Sequence, residues 1–165
     1  MQKPTEILTS EHKNILKVID TILAKCGELE SGAEIDKDFF TKAIDFIKNY
    51  ADRFHHAKEE DILFREMRAA QDKLHCSPMD QMLFEHEEGR KFVKDLEGAL
   101  VKEDRKDIEE NARGYANLLQ DHIYKEDNIL YPMADEALSE DVQIKMAEEF
   151  AKVEEQLEFN EKDWE

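Results

Sequence analysis

HHAKEEDILF at residues 55–64 and HIYKEDNILY at residues 122–131 are two copies of one phrase: a histidine, a Lys-Glu pair, a further acid, then Ile-Leu and an aromatic residue. In each copy a histidine stands four residues before a glutamate, His55 before Glu59 and His122 before Glu126. Four residues along an α-helix correspond to about 40° of rotation and about 6 Å of rise, so each pair shares one helix face. A further histidine lies upstream of each copy, His12 in TSEHKNIL and His86 in LFEHEEGR. The order Glu-His, then His-x-x-x-Glu, occurs twice. It yields four histidines and two carboxylates, His12, His55, Glu59, His86, His122 and Glu126, which is a ligand set for two metal ions.

Outward from these blocks the chain reads as helix throughout. It has only five glycines and three prolines, and its apolar residues recur at intervals of three and four. The first helix is expected from Pro4 to about Leu29, with Leu8, His12, Ile15, Ile19, Ile22 and Cys26 along one stripe. The second runs from an N-cap at Asp36 to about Ala70, with Phe40, Ile44, Ile47, Ala51, His55, Glu59 and Ile62 inward. The third opens at Pro78 and reaches about Lys102, carrying His86 and Gly89 among Met79, Met82, Val93, Leu96 and Leu100. The fourth covers about Asp104 to Tyr131, with Ile108, Ala112, Tyr115, Leu119, His122, Glu126 and Ile129 inward, and Pro132 is expected to stop it. Ser139 caps a fifth, near 140–158. Short links between long helices make neighbours antiparallel. The fold class is therefore all-α, an up-down-up-down four-helix bundle with a short fifth C-terminal helix. One domain is expected over residues 1–160, followed by a charged tail at 161–165 in which Trp164 has no assigned role.

Each long helix thus sets one histidine in an otherwise apolar stripe. Burying Glu59 and Glu126 as unpaired anions would cost on the order of several kcal/mol, and two metal cations supply the compensating charge. Glu60 and Asp127, five residues after their histidines, are rotated by about 140° and are expected to face solvent. His56, about 100° from His55, belongs at the stripe's edge, in a surface role or backing a ligand. His75 falls in a loop and is read as a non-ligand.

Composition narrows the function. Lys and Arg total 23 against 41 Asp and Glu, a formal net charge of −18. Such a surface repels nucleic acid and anionic membrane. No run of roughly 18 apolar residues suits a membrane span, and MQKPTEILTSEH lacks the layout of a secretion signal, so a cytoplasmic protein is expected. Cys26 and Cys76 are too few for a disulfide scaffold. Cys26, on the first stripe, reads as a buried inert thiol, and Cys76 as a loop residue.

The motifs TSEH, HHAKEEDILF, EHEEGR and DHIYKEDNILYP resemble those of hemerythrin-like proteins, the HHE cation-binding domains, in order and approximate spacing along nearly the whole chain. The resemblance implies a cofactor of two non-heme iron ions, oxo- or hydroxo-bridged, with manganese or zinc as other candidates. It implies that His12 and His55 bind one iron, His86 and His122 the other, and that Glu59 and Glu126 bridge them. Oxygen-carrying members have a further histidine one turn after the position of His86, where this chain has Arg90. They use an aspartate five residues after the position of His122, where this chain offers Glu126 at four and Asp127 at five. The site therefore resembles the bacterial four-histidine, two-glutamate branch.

Tyr50 and Tyr115 lie on or beside the stripe, as a further ligand, a hydrogen-bond donor or core aromatics. Arg90 is expected to pair with a buried glutamate or to cover an open position, with Gly89 leaving room, while Lys58 and Lys125 are expected to stay solvated. The implied function is binding or sensing of dioxygen, nitric oxide or iron. The alternative is an enzyme that removes peroxide or nitric oxide, and a less direct one is an iron donor for cluster repair. Whether the chain is an enzyme stays open, as does a metal-free interaction bundle. The expected partner is a small diatomic ligand or peroxide, with no nucleic acid and no membrane. No protein partner is implied, and no signalling domain is expected beside the bundle.

Overall fold

The computed structural model describes residues 2–74 and 78–157. His75, Cys76 and Trp164 lie outside them. Helix α1 (Pro4–Glu30) starts with proline in its first turn, and the Glu6 carboxylate accepts from the Lys3 backbone N–H at 3.0 Å. It ends in a turn at Gly32, whose φ of 97° is one that glycine adopts without strain. The second rod opens as α2 (Lys37–Phe46), capped by Asp36, which accepts from the Phe39 N–H at 3.0 Å as the sequence predicts. It continues unbroken through π-wound segments Ile47–His56 and Glu59–Leu63 and closes as α3 (Phe64–Ala69).

Helix α4 (Met79–Lys102) follows Pro78. Asp104 caps α5 (Arg105–Lys125) by accepting from the Asp107 N–H at 3.2 Å. That rod passes through the π-wound segment Glu126–Leu130 into α6 (Tyr131–Ala137). Helix α7 (Glu140–Leu157) begins where Ser139 Oγ accepts from the Val142 N–H at 3.3 Å. The fold is an all-α helical bundle, with no strand among the described residues.

The fourth rod departs from its predicted end. Pro132 sits in the first turn of α6, which runs on to Ala137. The preceding wide turn already breaks the regular i→i−4 ladder, so the missing proline N–H leaves no hole in it. The same turn shifts the inward register by one residue. Leu130 is buried, and Ile129, predicted inward, is 51% exposed.

α5 packs along both α1 and α4, and α7 lies across α1 and the second rod with Met146 and Phe150 buried. Two apolar clusters result. One contains Ile19, Ile22, Phe40, Leu96, Ile108 and Leu119, and the other Leu8, Phe64, Met67, Met79, Leu130 and Phe150. Each such side chain contributes about 1.5–3 kcal/mol by leaving water. Residues from both repeated phrases and the two upstream histidines form a buried polar band, His12, His55, His56, Lys58, Glu59, His86, His122 and Glu126. A buried polar group left without a partner costs about 1–3 kcal/mol, so every member of that band needs one.

Candidate metal centre

The band is assembled by a two-fold scheme that follows the sequence repeat. Within each block, the glutamate of the Glu-His pair serves the histidine and lysine of the following phrase. Glu11 Oε1 lies 2.8 Å from His55 Nδ1, and Glu11 Oε2 pairs with Lys58 Nζ. Glu85 Oε1 lies 3.0 Å from His122 Nδ1, and Glu85 Oε2 pairs with Lys125 Nζ. Between blocks, the acid after each inward glutamate serves the other block's histidine. Asp127 Oδ1 is 2.8 Å from His12 Nδ1, and Glu60 Oε1 is 2.7 Å from His86 Nδ1. A carboxylate can only accept, so all four pairings keep a proton on Nδ1 and turn Nε2 inward.

The inward atoms meet the two glutamates. His55 Nε2 is 2.6 Å and His12 Nε2 3.9 Å from Glu59 Oε1, while His86 Nε2 is 3.7 Å from Glu59 Oε2. Glu126 Oε1 lies 3.3 Å from His12 Nε2 and 3.0 Å from His122 Nε2. Two compact donor groups follow, His12, His55, Glu59 and Glu126 in one, and Glu59, His86, His122 and Glu126 in the other. They share both glutamates. Four buried atoms here have no hydrogen-bond partner: His55 Nε2, Glu59 Oε2, and both oxygens of Glu126. Lone pairs left this way need an electrophile, and imidazole with carboxylate suits iron, manganese or zinc. The residues present fit a metal.

The charges are strongly coupled. Burial pushes His12 down, but Asp127, Glu126 and Glu59 outweigh it and hold this imidazole well above its ordinary pKa. Burial likewise pushes His55 down, but Glu59 and Glu11 outweigh it and raise this imidazole above its ordinary pKa. Against the same opposition, Glu126 and Glu85 push His122 up to about 10. Burial would raise Glu59, yet contacts with Glu126, His55 and His12 hold it well below the usual carboxylate range. A cation entering here displaces protons from the histidines.

Several sequence expectations are corrected. Glu60 and Asp127, predicted to face solvent, are partly buried and orient His86 and His12, because the wide turns on which they lie depart from α-helical rotation. Lys58, predicted solvated, is fully buried beneath α7, where Glu11 and Glu154 pair with its ammonium and the Phe54 ring centroid lies 3.8 Å away. Lys125 is 38% exposed but bound to Glu85. Of the two roles expected for His56, the structure departs from the surface one and agrees with the other, since His56 is buried with its ring stacked behind His86 at 3.8 Å between centroids. Cys26 is buried, as expected.

Arg90 turns from the centre and pairs with Asp52, at 2.7 Å from Nη2 and 3.0 Å from Nε, and with Glu60 at 3.1 Å. Tyr50 Oη accepts from Asn14 at 2.9 Å within the core. The Tyr115 hydroxyl is buried without a partner. Tyr115 lines a cavity of about 220 Å³ with His56, His86, Gly89, Arg90 and Leu119. A Cβ on Gly89 would meet Tyr115 at 3.6 Å, ordinary contact, so space alone does not require glycine there.

Sequence reasoning missed Glu11, Glu85 and Tyr131. Tyr131 donates to Glu59 Oε1 at 2.9 Å, lies 3.3 Å from His12 Nε2 and stacks on the His12 ring. Burial, with Glu126 and Glu59 nearby, raises its pKa well above the ordinary value. The two glutamates could have been found from their identity in both Glu-His pairs.

No curated protein and no solved structure matches the chain. The family model for the hemerythrin HHE cation binding domain matches residues 3–134, a span that contains all six predicted ligands. With its buried histidine and glutamate clusters able to hold a metal, the chain belongs to the hemerythrin HHE cation-binding domain family.

Proposed function

We propose that the protein holds two iron ions, His12 and His55 on one, His86 and His122 on the other, with Glu59 and Glu126 bridging, and binds dioxygen, nitric oxide or peroxide there. The observation that carries this reading is the pair of donor groups sharing both glutamates, with four of their buried atoms lacking hydrogen bonds. Family membership weights iron over manganese and zinc. Bound iron would supply open coordination positions and redox equivalents for a small oxygen or nitrogen species.

The chain's own residues supply the rest. Glu11, Asp127, Glu60 and Glu85 fix the four imidazole orientations, as partners of metal-binding histidines do. Tyr131 holds a proton against Glu59. Apolar clusters flank the donor groups.

Catalytic removal of peroxide is the second reading. It is favoured by the cavity beside His86, which offers a small reactant room and the unpartnered Tyr115 hydroxyl. Metal analysis and visible spectra of protein reduced without air, then given oxygen and afterwards peroxide, separate the readings. Two irons per chain with a reversible oxygen-dependent band support binding. Irreversible oxidation with many peroxide turnovers, abolished in His122→Ala, supports the enzyme, and purified protein that takes up no metal contradicts both.

A further inference from the structure

We infer that α7 is a clasp on the metal centre, with Lys58 and Glu154 as positioning residues that act on His55 through Glu11; this rests on the two-metal reading above. The contacts form one line. Glu154 Oε1, on α7, lies 3.1 Å from Lys58 Nζ. Lys58 pairs in turn with Glu11 Oε2, and Glu11 Oε1 accepts from His55 Nδ1 at 2.8 Å. α7 starts after residue 134, where the family match ends, so the outer link of this line is carried by a segment outside the matched domain.

The lysine at its middle depends on that helix for its surroundings. An ammonium offers three N–H donors. Glu11 and Glu154 take up two, and the Phe54 ring centroid lies 3.8 Å from Nζ. Phe150, fully buried on α7, brings its ring centroid to 5.5 Å, and no part of Lys58 is left to water. With α7 lifted, water would reach the ammonium and weaken its hold on Glu11, because a charge pair loses strength as the dielectric around it rises.

The second block shows how an uncovered half is held instead. Lys125, the counterpart of Lys58, is 38% exposed, but Glu85 Oε2 there also accepts from Gln81 at 2.8 Å. Aligned on the Glu-His pairs, Gln81 corresponds to Ile7, whose side chain cannot donate. The first block lacks that second donor and has α7 in its place. Little apolar surface fastens the clasp, since Met146 and Phe150 are the buried residues of α7. A helix held in this way opens locally more readily than the long rods. Docking and metal binding are then linked, and linkage is reciprocal: the factor by which docked α7 tightens the metal is the factor by which bound metal holds α7 down.

The test uses the full chain, native and Glu154→Gln, a change at an exposed position that keeps the size and removes the charge. Co(II) titration gives affinity, and hydrogen exchange read by mass spectrometry gives the opening of α7 with and without Co(II). Proton NMR of the Co(II) protein gives the exchangeable Nδ1–H signals. The native chain is expected to bind two ions, with exchange in α7 slowed severalfold on loading. In Glu154→Gln one equivalent should weaken by roughly threefold to tenfold, less than for loss of a direct partner of a ligand. Loading should then no longer slow α7, and one Nδ1–H signal, that of His55, should exchange faster with solvent. Exchange in α7 that ignores metal in the native chain, or that slows equally in Glu154→Gln, would overturn the clasp alone. Fewer than two ions on the native chain would overturn the two-metal reading and this inference together.

Discussion

Lys58 shows at the residue scale what sets the two halves of the centre apart. Its ammonium is fully buried between Glu11 and Glu154, whereas Lys125, its counterpart in the repeat, is partly exposed beside Glu85. Removing one member of a buried ion pair strands the other, at about 3–5 kcal/mol, while an exposed pair is worth about 0–1 kcal/mol. Lys58→Met should therefore destabilise the metal-free protein by about 3 kcal/mol, and Lys125→Met by less, because Lys125 is partly in water and the buried Glu85 keeps His122 and Gln81 as partners. Urea denaturation read by circular dichroism checks both, and equal effects would contradict the assigned roles. A lysine beside an apolar stripe reads as solvated because its stem usually reaches water. Only α7, folded over this one, closes that route. Histidines and glutamates were legible because their chemistry is rare in a stripe. Tyr131 was not, since an aromatic at the end of each phrase reads equally as core, and Phe64, its counterpart, is buried in a cluster without a hydroxyl.

At the scale of elements, caps and stripes were readable, and winding was not. Asp36 and Ser139 cap their helices as predicted by side-chain chemistry that depends on a few adjacent residues. Two of the π-wound segments, Glu59–Leu63 and Glu126–Leu130, fall at the same place in the two copies of the phrase, but apolar intervals of three and four do not separate such winding from a regular α-helix. They account for the exposure of Ile129, for the helix running past Pro132, and for the inward reach of Glu60 and Asp127. Deleting Ile129, the outward residue of the wide turn Glu126–Leu130, should restore α-helical winding and pull Asp127 from His12. Far-UV circular dichroism is expected to stay helical while metal binding at the His12–His55 pair weakens roughly 10–100-fold, the range for losing an orienting partner. Unaltered metal affinity would show that winding does not matter to the site.

For the whole molecule, the duplicated block is the organising fact. Two apolar clusters flank a polar band in which each block supplies two histidines, one inward glutamate and the acids that hold the imidazoles of both blocks. The repeated phrase made the bundle and the gathering of His12, His55, Glu59, His86, His122 and Glu126 legible, because spacing on a helix fixes the face on which a residue lies. The cross-block pairs, Asp127 with His12 and Glu60 with His86, depend on how rods meet and could not be read from either block alone. Among the described residues no helix is long and apolar enough to cross a membrane. The departures from two-fold symmetry, His56 against Ile123 and Tyr131 against Phe64, lie around the centre, which makes its two halves chemically distinct. The most direct test of the central claim is a crystal structure of iron-loaded protein with anomalous data at the iron edge. Two peaks about 3.5–4 Å apart between Glu59 and Glu126 are predicted, one beside His12 and His55, the other beside His86 and His122. A single peak, or none within the polar band, would contradict the account.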